Sequence, residues 1–164
     1  MVFYRQSKHF VLFELDMKEK KIALFNKLGR KELEEELNNE TFKRITVSLY
    51  RYVHIKNPHI FRDILFTRWA ELNIKGRIYL AKEGINAQFS CPEHNWQAFT
   101  QALEDYDYLK DVPLKIAVED DGKSFIKLTI KVRNRILADG MDDNSYDTSN
   151  VGKHLTAAEW NKHM

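Results

Sequence analysis

Cations in the second half of the chain alternate with apolar residues, a pattern that suits binding to a phosphate backbone. Residues 124–136 include four Lys or Arg and no acid. Same-face residues of a strand lie about 6.6 Å apart, close to the spacing of phosphates in an extended single strand. Lys127, Lys131 and Arg133 could therefore neutralise successive phosphates. Tyrosine rings on the same face would stack on the bases of unpaired RNA.

A second polar cluster lies at a predicted hairpin, where residues 82–88 bring together lysine, glutamate, asparagine and glutamine. Two interpretations stay open there, because the cluster could contact a substrate or simply form a turn in which Gly84 supplies a left-handed conformation. The exposed cations also allow two interpretations, an RNA-binding surface or a solvated face whose lysines keep an edge strand from aggregating. The candidate RNA-binding residues are Tyr50, Tyr52, Lys82, Asn86, Lys127, Lys131, Arg133 and Arg135.

Groups that could carry catalysis are sparse. The six histidines form no metal-ligand spacing, and Asp139, Asp142 and Asp143 match no complete calcium loop. Cys91 is predicted at a helix N-terminus, which lowers a thiol pKa in principle, although a small residue filling the first turn is the simpler interpretation. We therefore expect no metal site and no catalytic residue in this chain.

Periodicity predicts the elements that must position these residues. Asn57 supplies a cap and Pro58 the first residue of an amphipathic helix that extends to Leu72. The sequence Ser90-Cys91-Pro92-Glu93 fits a capping box that would begin a second helix. Apolar residues alternate with polar ones in five further segments, which predicts strands at 45–55, 77–81, 85–90, 114–118 and 126–132.

The order β-α-β-β-α-β, followed by one added strand, is the split βαβ or ferredoxin-like plan of an α+β fold. Both helices would cover one face of an antiparallel sheet and leave the other face open, and alternation places the candidate cations and tyrosines on that open face. Acylphosphatases share this plan, but their chemistry needs a glycine-rich anion loop after the first strand. Residues 54–58 contain no glycine, so phosphatase activity is not expected.

Composition favours one globular domain with less regular ends. The chain has 164 residues, of which 43% are hydrophobic, and a net charge of only +2. The central region is more basic, with 15 Lys and Arg against 11 Asp and Glu in residues 44–136. We divide the chain into an N-terminal extension, a ferredoxin-like domain, and a linker with a further helix starting at Thr156, at residues 1–43, 44–136 and 137–164.

Sequence patterns also predict the cellular location of the protein and the elements within its N-terminal extension. The chain has no apolar run of about 18 residues and no signal peptide, so we expect no membrane span. A single cysteine excludes an internal disulfide and, with the other signals, favours a cytoplasmic protein. Within the extension, we predict a short strand at residues 9–13 and a helix at residues 31–37.

Five sequence blocks stand out in order along the second part of the chain, at residues 79–88, 120–125, 131–136, 138–143 and 149–160. Together they resemble the N-terminal domain of the bacterial tRNA uridine hydroxylases, a family first described as rhodanese-related sulfurtransferases. The resemblance extends from about Arg44 to Trp160. Five polar residues lie within these blocks, namely Lys82, Asn86, Lys123, Arg133 and Arg135.

The resemblance implies a ferredoxin-like, acylphosphatase-like domain that precedes a rhodanese domain. It also implies that the full-length protein is an oxidoreductase, which uses molecular oxygen to convert the wobble uridine of certain tRNAs to 5-hydroxyuridine. The family's catalytic cysteine lies in the rhodanese loop, so no catalytic residue or cofactor is carried over to this chain, and the chain alone is expected to be inactive. Its partners would be tRNA and the rhodanese domain of the same protein.

Two other functions remain open at this point. The domain could be a scaffold that packs its open sheet face against the rhodanese domain and never contacts RNA. Alternatively, the full-length protein could be a sulfurtransferase, as the rhodanese domain first suggested.

Overall fold

The computed structural model describes residues 25, 27–137, 152–153 and 155–163. The predicted strand at residues 9–13 and most of the predicted linker lie outside the described residues. The helices are α1 Arg30–Asn38, α2 Pro58–Glu71, α3 Trp96–Glu104 and α4 Ala157–His163, with a 3-10 turn at Glu93–Asn95. The strands are β1 Arg44–Tyr52, β2 Lys75–Ala81, β3 Gly84–Pro92, β4 Lys115–Ile116 and β5 Leu128–Val132.

One sheet organises the fold, with the strand order β4-β1-β3-β2-β5. The β4-β1-β3-β2 part is antiparallel between neighbours, as the ferredoxin-like plan requires, so the predicted α+β fold is confirmed. The added strand β5 pairs in parallel with β2, so the prediction of a purely antiparallel sheet is wrong. Because β4 and β5 lie at opposite edges, residues 117–127 cross the sheet and β5 starts at the same end as β2.

Helices α2 and α3 pack on one face of the sheet and close the hydrophobic core. The predicted start of α2 is confirmed, because the Asn57 side chain accepts a hydrogen bond from the Ile60 backbone at 3.2 Å and proline follows the cap. Trp69 of α2 and Phe99 of α3 meet Phe89 of β3 with ring centroids 5.0 and 5.1 Å apart. This aromatic cluster is fully buried, so it fixes both helices on that face.

Strand β3 is longer than its apolar pattern predicted. Ser90 and Cys91 lie inside the strand, where Ser90 pairs with Thr46 on one side and Lys75 on the other. The predicted capping box at these residues is therefore wrong. Pairing on both sides extends the strand to Pro92, and only then does the chain turn through a 3-10 segment into α3.

Strand β4 is shorter than predicted and more exposed. It pairs only two residues with β1, and Val118, the last apolar residue of the predicted strand at 114–118, is 96% exposed. The chain leaves the edge after Ile116 because it must turn to cross the sheet. The β2–β3 hairpin also differs, since two residues rather than three connect the strands. Gly84 opens β3 with a positive φ of 154°, and a Cβ there would overlap the carbonyl oxygen of Arg51.

Helices outside the sheet layers are also resolved in the described part of the chain. The predicted helix at 31–37 is present as α1, and its two leucines, Leu33 and Leu37, are buried. At the other end, the Thr156 hydroxyl accepts from the Glu159 backbone while Glu159 accepts from the Thr156 backbone, which caps α4. Among the described helices, none combines the length and apolar character that a membrane span requires.

Candidate nucleic-acid interface

The face of the sheet opposite α2 and α3, which we call the open face, carries the predicted tyrosines and cations. The register places Tyr50 beside Asn86, Asn86 beside Tyr79, and Tyr79 beside Lys131. Neighbouring strands lie about 4.8 Å apart, so this row of four side chains spans about 14 Å across the sheet. The sequence prediction that these residues share one face is confirmed by this register.

Three tyrosines of the open face form the aromatic part of the surface. Tyr50 is 38% exposed, and its ring meets that of Tyr52 edge to face with centroids 5.1 Å apart. Tyr79 is half-buried, and the guanidinium carbon of Arg133 lies 5.9 Å from its ring centroid. Alternation along β2 placed Tyr79 on this face, but the candidate set omitted it. Its contact with a candidate arginine shows that it belongs to the same surface.

The candidate cations lie along β5 and at the neighbouring hairpin. Lys131 and Arg133 are exposed, and Arg135 is half-buried just beyond the strand. Lys82 is exposed in the hairpin turn, near the end of β5. Lys127 is exposed in the residue before β5 begins, about 20 Å from Arg133 at the other end of the strand. The structure therefore gathers the arginines and Lys131 near Tyr79 and places Lys127 at the opposite end.

Residues 133–137, which we call the exit segment, turn across the hairpin end of the open face. The Arg133 backbone N–H donates to the Leu80 carbonyl at 2.8 Å and so extends the pairing of β5. The Ile136 N–H donates to Glu83 Oε1 at 2.9 Å, and Asn86 Nδ2 donates to the Ile136 carbonyl at 3.2 Å. Two members of the polar hairpin cluster thus contact the chain itself, and a cleft forms between the exit segment and Tyr79.

Residues 117–127, which we call the crossing loop, cover the other end of the open face. Thr46 donates its hydroxyl hydrogen to Asp120, and a Cβ on Gly122 would come within 2.6 Å of Arg44. The hydrogen bonds from Thr46 and from the Gly122 backbone hold the pKa of Asp120 below its usual value. The expectation of an uncovered face is therefore wrong at both ends, because the chain crosses one end and leaves over the other.

The described residues offer little for catalysis. Cys91 faces the helices from within β3 and is fully buried, and this burial raises its pKa to about 12 against the opposing charge of Arg44. The predicted position at a helix N-terminus is wrong, and the thiol is not activated. Across residues 27–137 and the described C-terminal residues, no three His, Cys, Asp or Glu side chains are grouped to hold a metal ion. The aspartates at 139, 142 and 143 lie outside the described residues.

Comparison with known proteins identifies relatives for most of this chain. Residues 44–136 match the family model described as the UPF0176 acylphosphatase-like domain. A tRNA uridine(34) hydroxylase of Leptospira interrogans is 49% identical over 145 residues, covering 88% of this chain and 40% of that protein. Proteins of the same name from Escherichia coli and Photorhabdus laumondii are 48% and 46% identical, each covering 85% of this chain. The chain therefore spans about 40% of the length of these relatives.

Proposed function

Because the chain belongs to the family of UPF0176 acylphosphatase-like domains, we propose that it is the tRNA-contacting N-terminal part of a tRNA uridine hydroxylase. The observation that carries the proposal is the placement of Lys131 and Arg133 beside Tyr79 on the open face. The names of the relatives support the substrate class, since each is called a tRNA uridine(34) hydroxylase. A tRNA substrate also accords with the predicted cytoplasmic location.

The chemistry of the open face suits unpaired RNA better than a duplex. Unstacked bases in a loop can stack on exposed rings such as Tyr50, while cations on the same face neutralise the phosphates that follow. Lys131 and Arg133 are exposed and so can reach these phosphates, and exposed Lys82 extends the basic surface to the hairpin turn. The wobble uridine lies in such a loop, so binding at this face would present an unpaired segment of tRNA.

The hydroxylation chemistry itself would belong to the part of the protein that the relatives have beyond this chain. In this proposal molecular oxygen is the co-substrate, a rhodanese domain of the same protein supplies the reactive thiol, and this chain holds no cofactor. The role of this chain is then to bind and orient tRNA. Buried Cys91, with its raised pKa, takes no part in the reaction.

Charge reversal tests the RNA-binding role directly. The double variant Lys131→Glu with Arg133→Glu should weaken binding to an unmodified tRNA transcript at least tenfold and reduce the salt dependence, because two phosphate contacts become repulsive. A matched control reverses Lys56 and Lys110, which are exposed in loops outside the sheet. Fluorescence anisotropy should show the control binding like wild type. Equal affinity of both double variants would reject the proposal.

A scaffold role is the second candidate, and the covered ends of the open face favour it. The crossing loop and the exit segment both use open-face residues for contacts within the chain, as a packing surface would. If the face serves only as a scaffold, the reversal of Lys131 and Arg133 should leave tRNA affinity unchanged while reducing activity of the full-length protein.

The other alternative, that the full-length protein is a sulfurtransferase, is tested by its product. Analysis of cellular tRNA for 5-hydroxyuridine or thiolated uridine separates hydroxylation from sulfur transfer.

A further inference from the structure

Two side chains of the β2–β3 hairpin bind both backbone polar groups of a single residue in the exit segment. Glu83 accepts from the Ile136 N–H at 2.9 Å, and Asn86 donates to the Ile136 carbonyl at 3.2 Å. Ile136 itself is only 3% exposed, so its backbone groups have little access to water. A buried N–H or carbonyl without a partner is costly, and this pair of side chains removes that cost for both groups.

The pair also fixes the far end of a short cationic segment. Its near end is held by the Arg133 N–H, which donates to the Leu80 carbonyl at 2.8 Å. Arg133, Asn134 and Arg135 therefore lie between two anchored points instead of continuing as free chain beyond β5. A backbone segment held in place before binding loses less conformational entropy when its side chains contact a ligand, so the anchors favour binding at this position.

We propose that Glu83 and Asn86 are positioning residues, which hold the exit segment so that Arg133 and Arg135 face the phosphates of unpaired RNA beside Tyr79. This inference rests on the proposed RNA-binding function. It separates the residues that contact RNA, Arg133 and Arg135, from those that position them, Glu83 and Asn86. Asn86, predicted from the sequence as an RNA contact, acts through Ile136 instead. Glu83 has the same role from the adjacent turn.

The charge of Glu83 makes the inference testable against simple electrostatics. A carboxylate near a basic surface repels RNA, so its removal alone should strengthen binding. If Glu83 positions the exit segment by accepting from the Ile136 N–H, truncating its side chain should instead weaken RNA binding. Glutamine separates the two effects, because Glu83→Gln removes the charge and retains an oxygen that accepts the same hydrogen bond.

The experiment compares Glu83→Ala with Glu83→Gln in the 164-residue chain, using fluorescently labelled ten-residue oligouridylate in a salt titration. Glu83→Ala should bind at least fivefold more weakly than Glu83→Gln, with a salt slope smaller by about 1.4, the value for two lost phosphate contacts on a single strand. Glu83→Gln should bind at least as tightly as wild type. Glu36→Gln on α1 controls for loss of an exposed carboxylate elsewhere.

Hydrogen exchange at the Ile136 amide provides a second readout that does not depend on RNA. Exchange should accelerate in Glu83→Ala and stay near the wild-type rate in Glu83→Gln. Asn86→Ala, which removes the other anchor, should weaken oligouridylate binding in the same direction as Glu83→Ala. If both alanine variants bind as tightly as Glu83→Gln, the positioning role is wrong.

The same titration distinguishes this failure from failure of the proposed function. The double variant Arg133→Glu with Arg135→Glu should lose oligouridylate binding if the open face contacts RNA. Loss of binding there, combined with wild-type binding of the alanine variants, would reject only the positioning role. Wild-type binding by the arginine variant would reject RNA binding at this surface as a whole.

Discussion

Glu40 supplies the counter-charge for two buried cations of the sheet, Arg44 and Lys75. Its carboxylate contacts Arg44 Nε at 2.6 Å and Lys75 Nζ at 3.3 Å, and the Arg44 side chain is only 1% exposed. Arg44 also donates to the carbonyl of Asn73 at 2.9 Å. Burial raises the pKa of Glu40, but hydrogen bonds and charges from Arg44 and Lys75 outweigh it, so the net pKa is lowered.

Replacing Glu40 with glutamine should destabilise the protein by about 3 kcal/mol at pH 7, because a buried Arg44 loses its counter-charge. A lowered pKa in the folded state means that the stabilisation is present above the unfolded value of 4.5 and is lost as pH falls through the folded value. Urea unfolding should therefore show a larger difference between wild type and Glu40→Gln at pH 7 than at a pH below the folded-state pKa of Glu40.

A matched control for this prediction lies on α1. Glu34 forms an ion pair with Arg30 at 2.7 Å, but their side chains are 44% and 84% exposed. Glu34→Gln should change the free energy of unfolding by no more than about 0.5 kcal/mol, because water screens such pairs. An equal loss of stability in the two variants would contradict the importance of burial at Glu40.

At the scale of elements, the closeness of β2 and β3 determines how the aromatic core packs. Gly76 pairs with Phe89 on the helix-covered face of the sheet. A Cβ on Gly76 would overlap the Phe89 side chain and lie 2.6 Å from the Gln88 carbonyl oxygen. Since the Phe89 ring packs against Trp69 and Phe99, it has no room to move away.

Gly76→Ala should therefore destabilise the protein by about 1–3 kcal/mol, the usual cost of adding a methyl group to a filled core. Gly152→Ala is the control, because nothing lies within 4 Å of the position where its Cβ would be. Urea unfolding should show a lower midpoint for Gly76→Ala and little change for Gly152→Ala. A normal midpoint for Gly76→Ala would mean that β2 and β3 are not packed as closely as described.

At the scale of the whole molecule, the net charge is small, but the cations are concentrated in one region. The chain carries 26 Lys and Arg against 24 Asp and Glu, so its net charge of +2 would attract RNA only weakly. The predicted RNA-binding set nevertheless places five cations along β5 and the adjoining hairpin. The proposed function therefore depends on local charge.

This local dependence predicts how binding responds to salt. With five phosphate contacts, the logarithm of the affinity for oligouridylate should fall against the logarithm of salt concentration with a slope of about −3.5. The double variant Lys56→Glu with Lys110→Glu, although it reverses the sign of the net charge, should retain this slope. A slope near zero for wild type, or a large change in this control, would show that the β5 surface does not carry the binding.

Comparison of the sequence predictions with the structure at particular residues shows which features local sequence patterns can predict. Alternation predicts correctly that Tyr50 and Lys131 share the open face, because every second side chain of a strand points the same way. A different local pattern, the capping box at Ser90–Glu93, fails because Ser90 pairs with two neighbouring strands instead of capping a helix. The predicted strand at 114–118 is too long by two residues at its end, because alternation does not show that pairing stops after Ile116 and leaves Val118 exposed. RNA contact by the candidate residues stays a prediction.

The amino-acid sequence by itself determined the fold class, the start of α2 and the face on which the tyrosines and cations lie, since each follows from backbone geometry over a few neighbouring residues. Only the tertiary structure decided that the crossing loop covers one end of the open face, and that Glu83 and Asn86 hold Ile136 over the other. Those contacts join residues about 50 or more positions apart. They depend on the order of strands in the sheet, which no local pattern specifies.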